Sequence, residues 1–141
     1  MESAVKSDPV SPVFEKKYSP KGLQRLTRAT TNSIQGWQQI WRDEAAFRQE
    51  VGLGVIFMVP AVTLPLHRYE SLALLVSWLL VLIVEALNSA IEAAIDRIGY
   101  EHHELSGKAK DIGSLAVLMA LVVAGLTWGL VVAPALLHML D

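Results

Sequence analysis

The run from Ser71 to Ile98, SLALLVSWLLVLIVEALNSAIEAAIDRI, constrains this chain most, because its first half is apolar and its second half carries Glu85, Asn88, Glu92 and Asp96. A stretch of this length and hydropathy belongs in a bilayer, where backbone N–H and C=O groups must be satisfied within the protein, and a helix does so by itself. At 100° per residue the four polar side chains fall within about 80° of one another, forming one ridge down one face. A carboxylate in mid-membrane costs roughly 2.5–3.5 kcal/mol on insertion scales. Asn88 and Ser89 suit the joining of helices by hydrogen bonds, whereas glutamate is an expensive choice for that purpose, so Glu85 reads as functional.

Two further spans follow from hydropathy. The first runs from about Ala45 to Leu66, with Pro60 placed to kink it, and the third from about Ile112 to Leu137, with Gly113, Ser114, Ala116, Ala120, Ala124 and Gly125 offering close packing. The second span occupies about 71–98, after a tight loop at His67 to Glu70, and its end should project past the hydrocarbon. With 52% hydrophobic residues in 141, the chain reads as an all-α integral membrane protein. It has no cysteine, which excludes disulfides, thiolate metal sites and cysteine nucleophiles.

Residues 1–20 mix Ser, Pro and charge without periodicity and read as a flexible tail with no apolar signal segment. From about 21 to 42, Leu23, Leu26, Ile34, Trp37, Ile40 and Trp41 gather opposite Arg25, Arg28, Asn32, Gln35 and Gln39. That pattern predicts an amphipathic helix in the interface plane, opening a membrane domain over 21–141. Asp43 to Glu50 forms a charged elbow, in which Glu44 stands at a membrane boundary. Between the second and third spans, Gly99 to Lys108 is a polar connector, with Ser106 as the expected N-cap of the last helix. The adjacent His102 and His103 would point in different directions on a helix and do not suggest a transition-metal site.

Of 12 Lys and Arg, only Arg68 lies in the first loop and none beyond the third span. The N-terminus and the second connector are therefore expected on the cytoplasmic side. Glu44, Glu92, Glu101, Lys110 and Asp111 then share the interface that meets soluble nucleotide. Glu85 and Glu92 are separated by about 10 Å along the helix, room for a base at a hydroxyl, a transferring phosphorus and a Mg²⁺ in series. Glu44 and Glu92 could supply the carboxylate pair that Mg²⁺ takes, and Lys110, Arg25 and Arg28 could neutralise phosphate. No GxxxxGK[ST] loop occurs. A proton-relay or transport subunit is a competing reading, but Ser71 to Val84 holds no ionisable group to carry a relay onward. A purely structural assembly subunit would not need interfacial acids and bases at three separated places.

The segments EAAFRQE (Glu44 to Glu50), VEALNSAIEAAIDRIG (Val84 to Gly99) and HELSGKAKDIGSLAVL (His103 to Leu118) closely resemble the small prokaryotic integral-membrane diacylglycerol kinase family. The likeness runs in register from about Gly22 into the third span. It implies a homotrimer of three-span subunits with a surface helix, in the bacterial inner membrane, phosphorylating diacylglycerol with MgATP and having no nucleic-acid partner. By position, Glu85 corresponds to the general base, and Glu44 and Glu92 to ligands of Mg²⁺ and neighbours of ATP. Arg25, Asn32, Glu101, His102, His103, Lys110 and Asp111 fall on the nucleotide side, while Arg25, Glu85, Asn88 and Ser114 fall on the lipid side. Arg28 stands where the family often has lysine, and Asn32 where a tyrosine often meets the nucleotide. Related small membrane kinases phosphorylate undecaprenol, which makes the same demand on Glu85.

Overall fold

The computed structural model describes residues 22–99, 101 and 103–140. The tail at 1–20 and His102 lie outside the described residues. The chain divides into two compact units, one ending at Gln35 and one beginning at Gly36. Its helices are α1 (Leu23–Asp43), α2 (Ala45–Thr63), α3 (Arg68–Ile98) and α4 (Glu104–His138).

Within the first unit, α1 begins after Gly22, whose positive φ of 61° belongs to the left-handed region that glycine enters without a steric penalty. Thr27, Thr30, Thr31 and Ser33 are poor helix formers, and each returns its hydroxyl to a carbonyl of the preceding turn at 3.0–3.1 Å. Leu23 and Leu26 are exposed, as are Arg25, Arg28 and Asn32.

In the second unit, α2, α3 and α4 are each long and apolar enough to cross a membrane. The α3 helix packs against both of the others. Its Leu74 and Val81 are fully enclosed, and Val81 meets Ala120 and Ala124 of α4. Phe57 of α2 joins the three helices, with its ring 5.6 Å from Trp78 of α3 and 5.4 Å from Trp128 of α4. Two glycines permit still closer approach. A Cβ at Gly54 would run into the Trp78 indole, and one at Gly113 into the Asn88 amide. Large side chains such as Leu79, Leu80, Ile83 and Leu87 remain exposed, which is favourable against lipid.

The helix ends differ from the sequence expectation in three places. The first turn lies before Arg68, so Glu70 is already helical, accepting a 2.7 Å hydrogen bond from the His67 N–H in the manner of a capping box. Ser71 then donates to Ala61 O at 3.1 Å, tying α3 to α2. Helix α4 starts at Glu104 with His103 as its N-cap, not at Gly107 with Ser106. The Nδ1 of His103 accepts from Leu105 N at 3.2 Å, so an imidazole fills the role usually given to a hydroxyl. Finally, α2 ends at Thr63 rather than near Leu66, with Leu64 N closing on Pro60 O at 3.0 Å.

Candidate active site

The ridge on α3 is turned inward. Glu85 is 5% exposed, while Asn88, Glu92 and Asp96 are half-buried. Asn88 Nδ2 donates to Glu92 Oε1 at 3.1 Å, a helical i, i+4 pair that holds one oxygen of the carboxylate. The other end of the Asn88 amide lies against Gly113, and the helix approach that this glycine permits keeps the amide in place. Farther along, Lys110 Nζ donates to Asp96 Oδ1 at 2.6 Å, joining α4 to the ridge. Lys110, expected to neutralise phosphate, therefore also has a partner in the fold.

Glu44 occupies the single non-helical position between α1 and α2, with extended backbone at φ −105°. It is half-buried, and its carboxylate makes no capping hydrogen bond to α2. A boundary glutamate commonly serves as a solvated cap, so a half-buried carboxylate free of that duty is available for another partner. Beside it, the exposed Asp43 carboxyl is held below its ordinary pKa, chiefly by its hydrogen bond from Arg42.

Glu44 and Glu92 both come within Coulombic reach of Glu85. So does Glu50, a residue that sequence reading left in the charged elbow. Glu50 is only 8% exposed, and its Oε2 has no hydrogen-bond partner among the described residues. Its signal was present in the spacing: Phe47, Glu50 and Gly54 recur at i, i+3 and i+7 and are the buried residues of α2. A carboxylate on that stripe must face the bundle.

Glu44, Glu50 and Glu92, from the α1–α2 junction, α2 and α3, thus each lie within Coulombic reach of Glu85, although among the described residues no three of these acids close into a metal-binding cluster. Among the other expected site residues, Asp111 and Ser114 are exposed on α4, Glu101 is exposed in the connector, and His103 caps α4. Arg25, Arg28 and Asn32 belong to the first unit.

The profile of the prokaryotic diacylglycerol kinase family matches residues 31–132, which include the Glu44, Glu85 and Glu92 positions. The chain belongs to this family. It is 50% identical over 107 residues to the diacylglycerol kinase of Escherichia coli K12, covering 76% of this chain and 88% of that protein. The diacylglycerol kinase of Pseudomonas aeruginosa is 48% identical over 107 residues, covering 76% and 87%. That of Haemophilus influenzae is 43% identical over 112 residues, covering 79% and 95%. Within this kinase family assignment, the inward ridge of α3 and the elbow glutamate form the candidate catalytic centre, to which Glu50 is added.

Proposed function

We propose that the chain transfers the γ-phosphate of ATP to the free hydroxyl of 1,2-diacylglycerol, giving phosphatidic acid, with Glu85 as general base. Family membership makes the chain a diacylglycerol kinase. The observation that supports the residue assignment is Glu85 itself, a carboxylate buried in a membrane-crossing helix with Glu44 and Glu92 in reach. Such a group can meet a hydroxyl whose acyl chains stay in lipid, while the acids beyond it meet a soluble phosphate donor.

In this reading a Glu85 oxygen accepts the hydroxyl proton as the hydroxyl oxygen bonds to the γ-phosphorus. The bond from that phosphorus to the β,γ-bridging oxygen breaks, and ADP leaves with the electron pair. Asn88 keeps Glu92 oriented through the amide bond described above. Charge supports Lys110 of the second unit, and Arg25 and Arg28 of the first, as candidates to counter phosphate. The family resemblance is what assigns Asn32, Glu101, His102, His103 and Asp111 to the nucleotide side and Ser114 to the lipid side.

The donor set fits Mg²⁺, which favours carboxylate oxygens and takes one or two of them when phosphate oxygens and water complete its shell. Glu44 and Glu92 would hold it: Glu44 spends no oxygen on capping, and Asn88 engages one oxygen of Glu92. When bound, the ion supplies positive charge at the β- and γ-phosphates. We further place the N-terminus on the cytoplasmic side of a bacterial inner membrane, supported by the Lys and Arg distribution. A homotrimer is supported by the family resemblance.

The test is transfer of labelled γ-phosphate from MgATP to diacylglycerol in mixed micelles, with undecaprenol run in parallel. Labelled phosphatidic acid is the expected product. Label on undecaprenol alone would preserve the chemistry and replace the substrate.

A further inference from the structure

The α1–α2 junction holds a cation that the reaction does not call on. Arg48 lies one turn into α2 and reaches back across Glu44 to the end of α1. Its Nη1 donates to Trp41 O at 2.8 Å and to Arg42 O at 3.0 Å. The last carbonyls of a helix have no partners within that helix, and a guanidinium there both satisfies them and complements the negative end of the dipole.

The main chain at the junction gives little resistance of its own. Glu44 N still closes on Ile40 O at 2.9 Å, but the first bond of α2, from Arg48 N to Glu44 O, is long at 3.5 Å. A second contact braces the same elbow on its apolar side. Trp37 stacks on Trp41 at 6.0 Å and meets the buried Phe47 edge-on at 5.3 Å. Two helices are therefore fastened on either side of the one residue between them.

We infer that Arg48 is a positioning residue: by holding the end of α1 over the first turn of α2, it sets the Glu44 carboxylate toward Glu85. This rests on the reading of Glu44 as a metal ligand. Arg48 acts through Glu44 and need not touch phosphate, since its Nη1 is committed to two carbonyls. Partners hydrogen-bonded to a metal ligand change metal affinity by about 10–100-fold when removed, and Arg48, which acts on Glu44 through the main chain, belongs at the lower end of that range. An Arg48→Met variant should therefore raise the Mg²⁺ concentration for half-maximal activity by about tenfold or more. Its KM for ATP and for diacylglycerol should stay near wild type.

The experiment compares Arg48→Met, Arg48→Lys, Glu44→Gln and the double variant Arg48→Met/Glu44→Gln in detergent-purified full-length protein. Activity is titrated with Mg²⁺, and Mn²⁺ binding is followed by EPR with a non-hydrolysable ATP analogue. We expect Arg48→Met to weaken Mn²⁺ binding and Arg48→Lys to restore part of it, because an ammonium can still bond the two carbonyls. The double variant should be no worse than Glu44→Gln alone. If Glu44→Gln leaves metal binding unchanged, the ligand reading fails and the positioning role falls with it. If Glu44→Gln weakens metal binding and Arg48→Met does not, the positioning role alone is overturned. A raised KM for ATP at unchanged metal affinity would overturn it as well, making Arg48 a phosphate contact. Should Arg48→Met fail to fold, Arg48→Lys decides on the same readouts: unchanged Mn²⁺ affinity with an added loss in the Glu44→Gln background overturns the proposal.

Discussion

Leu74 and Val81 in the first half of α3 and Glu85 in the second lie within about 40° of one another around the helix. All three are buried, yet two fill space between helices and the third carries a carboxylate, the proposed general base. The comparison separates burial from hydrophobicity. Lipid already accommodates the exposed Leu79, Leu80, Ile83 and Leu87, so hiding apolar side chains from it gains little, and tight packing is what Leu74 and Val81 contribute. The interior of such a bundle is instead the one place where a polar ridge can avoid hydrocarbon. One stripe of α3 can thus serve packing over its first turns and chemistry over its last.

The largest effect should follow from Glu85→Gln, which preserves shape and removes the proposed proton acceptor. Turnover should fall by about 10²–10⁴-fold, with the thermal midpoint in micelles unchanged or raised. Leu74→Ala should do the reverse, lowering the midpoint while leaving the Mg²⁺ requirement alone. Wild-type turnover by folded Glu85→Gln protein would erase the distinction between the halves.

Next in size, Glu92→Gln should raise the Mg²⁺ requirement by about tenfold or more or abolish activity, as read from a Mg²⁺ titration. Unchanged metal dependence would confine the chemistry of the ridge to Glu85. Glu50→Gln should also lower turnover, but by less than Glu85→Gln, because the proton acceptor remains. Steady-state assays of the two variants side by side would show whether the reactive region extends from α3 onto α2.

The smallest effects sharpen the comparison through its glycines. Gly54→Ala and Gly113→Ala each push a methyl group into a filled contact and should cost about 1–3 kcal/mol, measured by thermal unfolding in micelles. Gly54→Ala disturbs Trp78 in the apolar half and should reduce stability alone. Gly113→Ala displaces the Asn88 amide that holds Glu92, so it should also raise the Mg²⁺ requirement.

Much of the fold was legible in the chain because its signals are local. Three long apolar runs must be helices in lipid, and Glu85, Asn88, Glu92 and Asp96 share a face by periodicity alone. The bond from Asn88 to Glu92 follows from their spacing of four. The helix ends were less legible. Ser106 outranks His103 as a cap by residue preference, yet the imidazole Nδ1 lay where the first free N–H groups of α4 needed an acceptor. Glu50 was obscured by its charged neighbours, which made DEAAFRQE look like a solvated elbow although its buried stripe begins at Phe47.

The sequence by itself determined the number of spans, the polar ridge on one face of the second span and the family, since hydropathy, helical period and long motifs can each be read within one segment. Tertiary structure decided which groups share the centre. The convergence of Glu50 and Glu44 on Glu85, the pairing of Lys110 with Asp96 and the return of Arg48 over Glu44 depend on how closely and at what register helices meet. Those distances are set by contacts such as Gly54 with Trp78 and Gly113 with Asn88, in which each residue acquires its meaning from a partner on another helix.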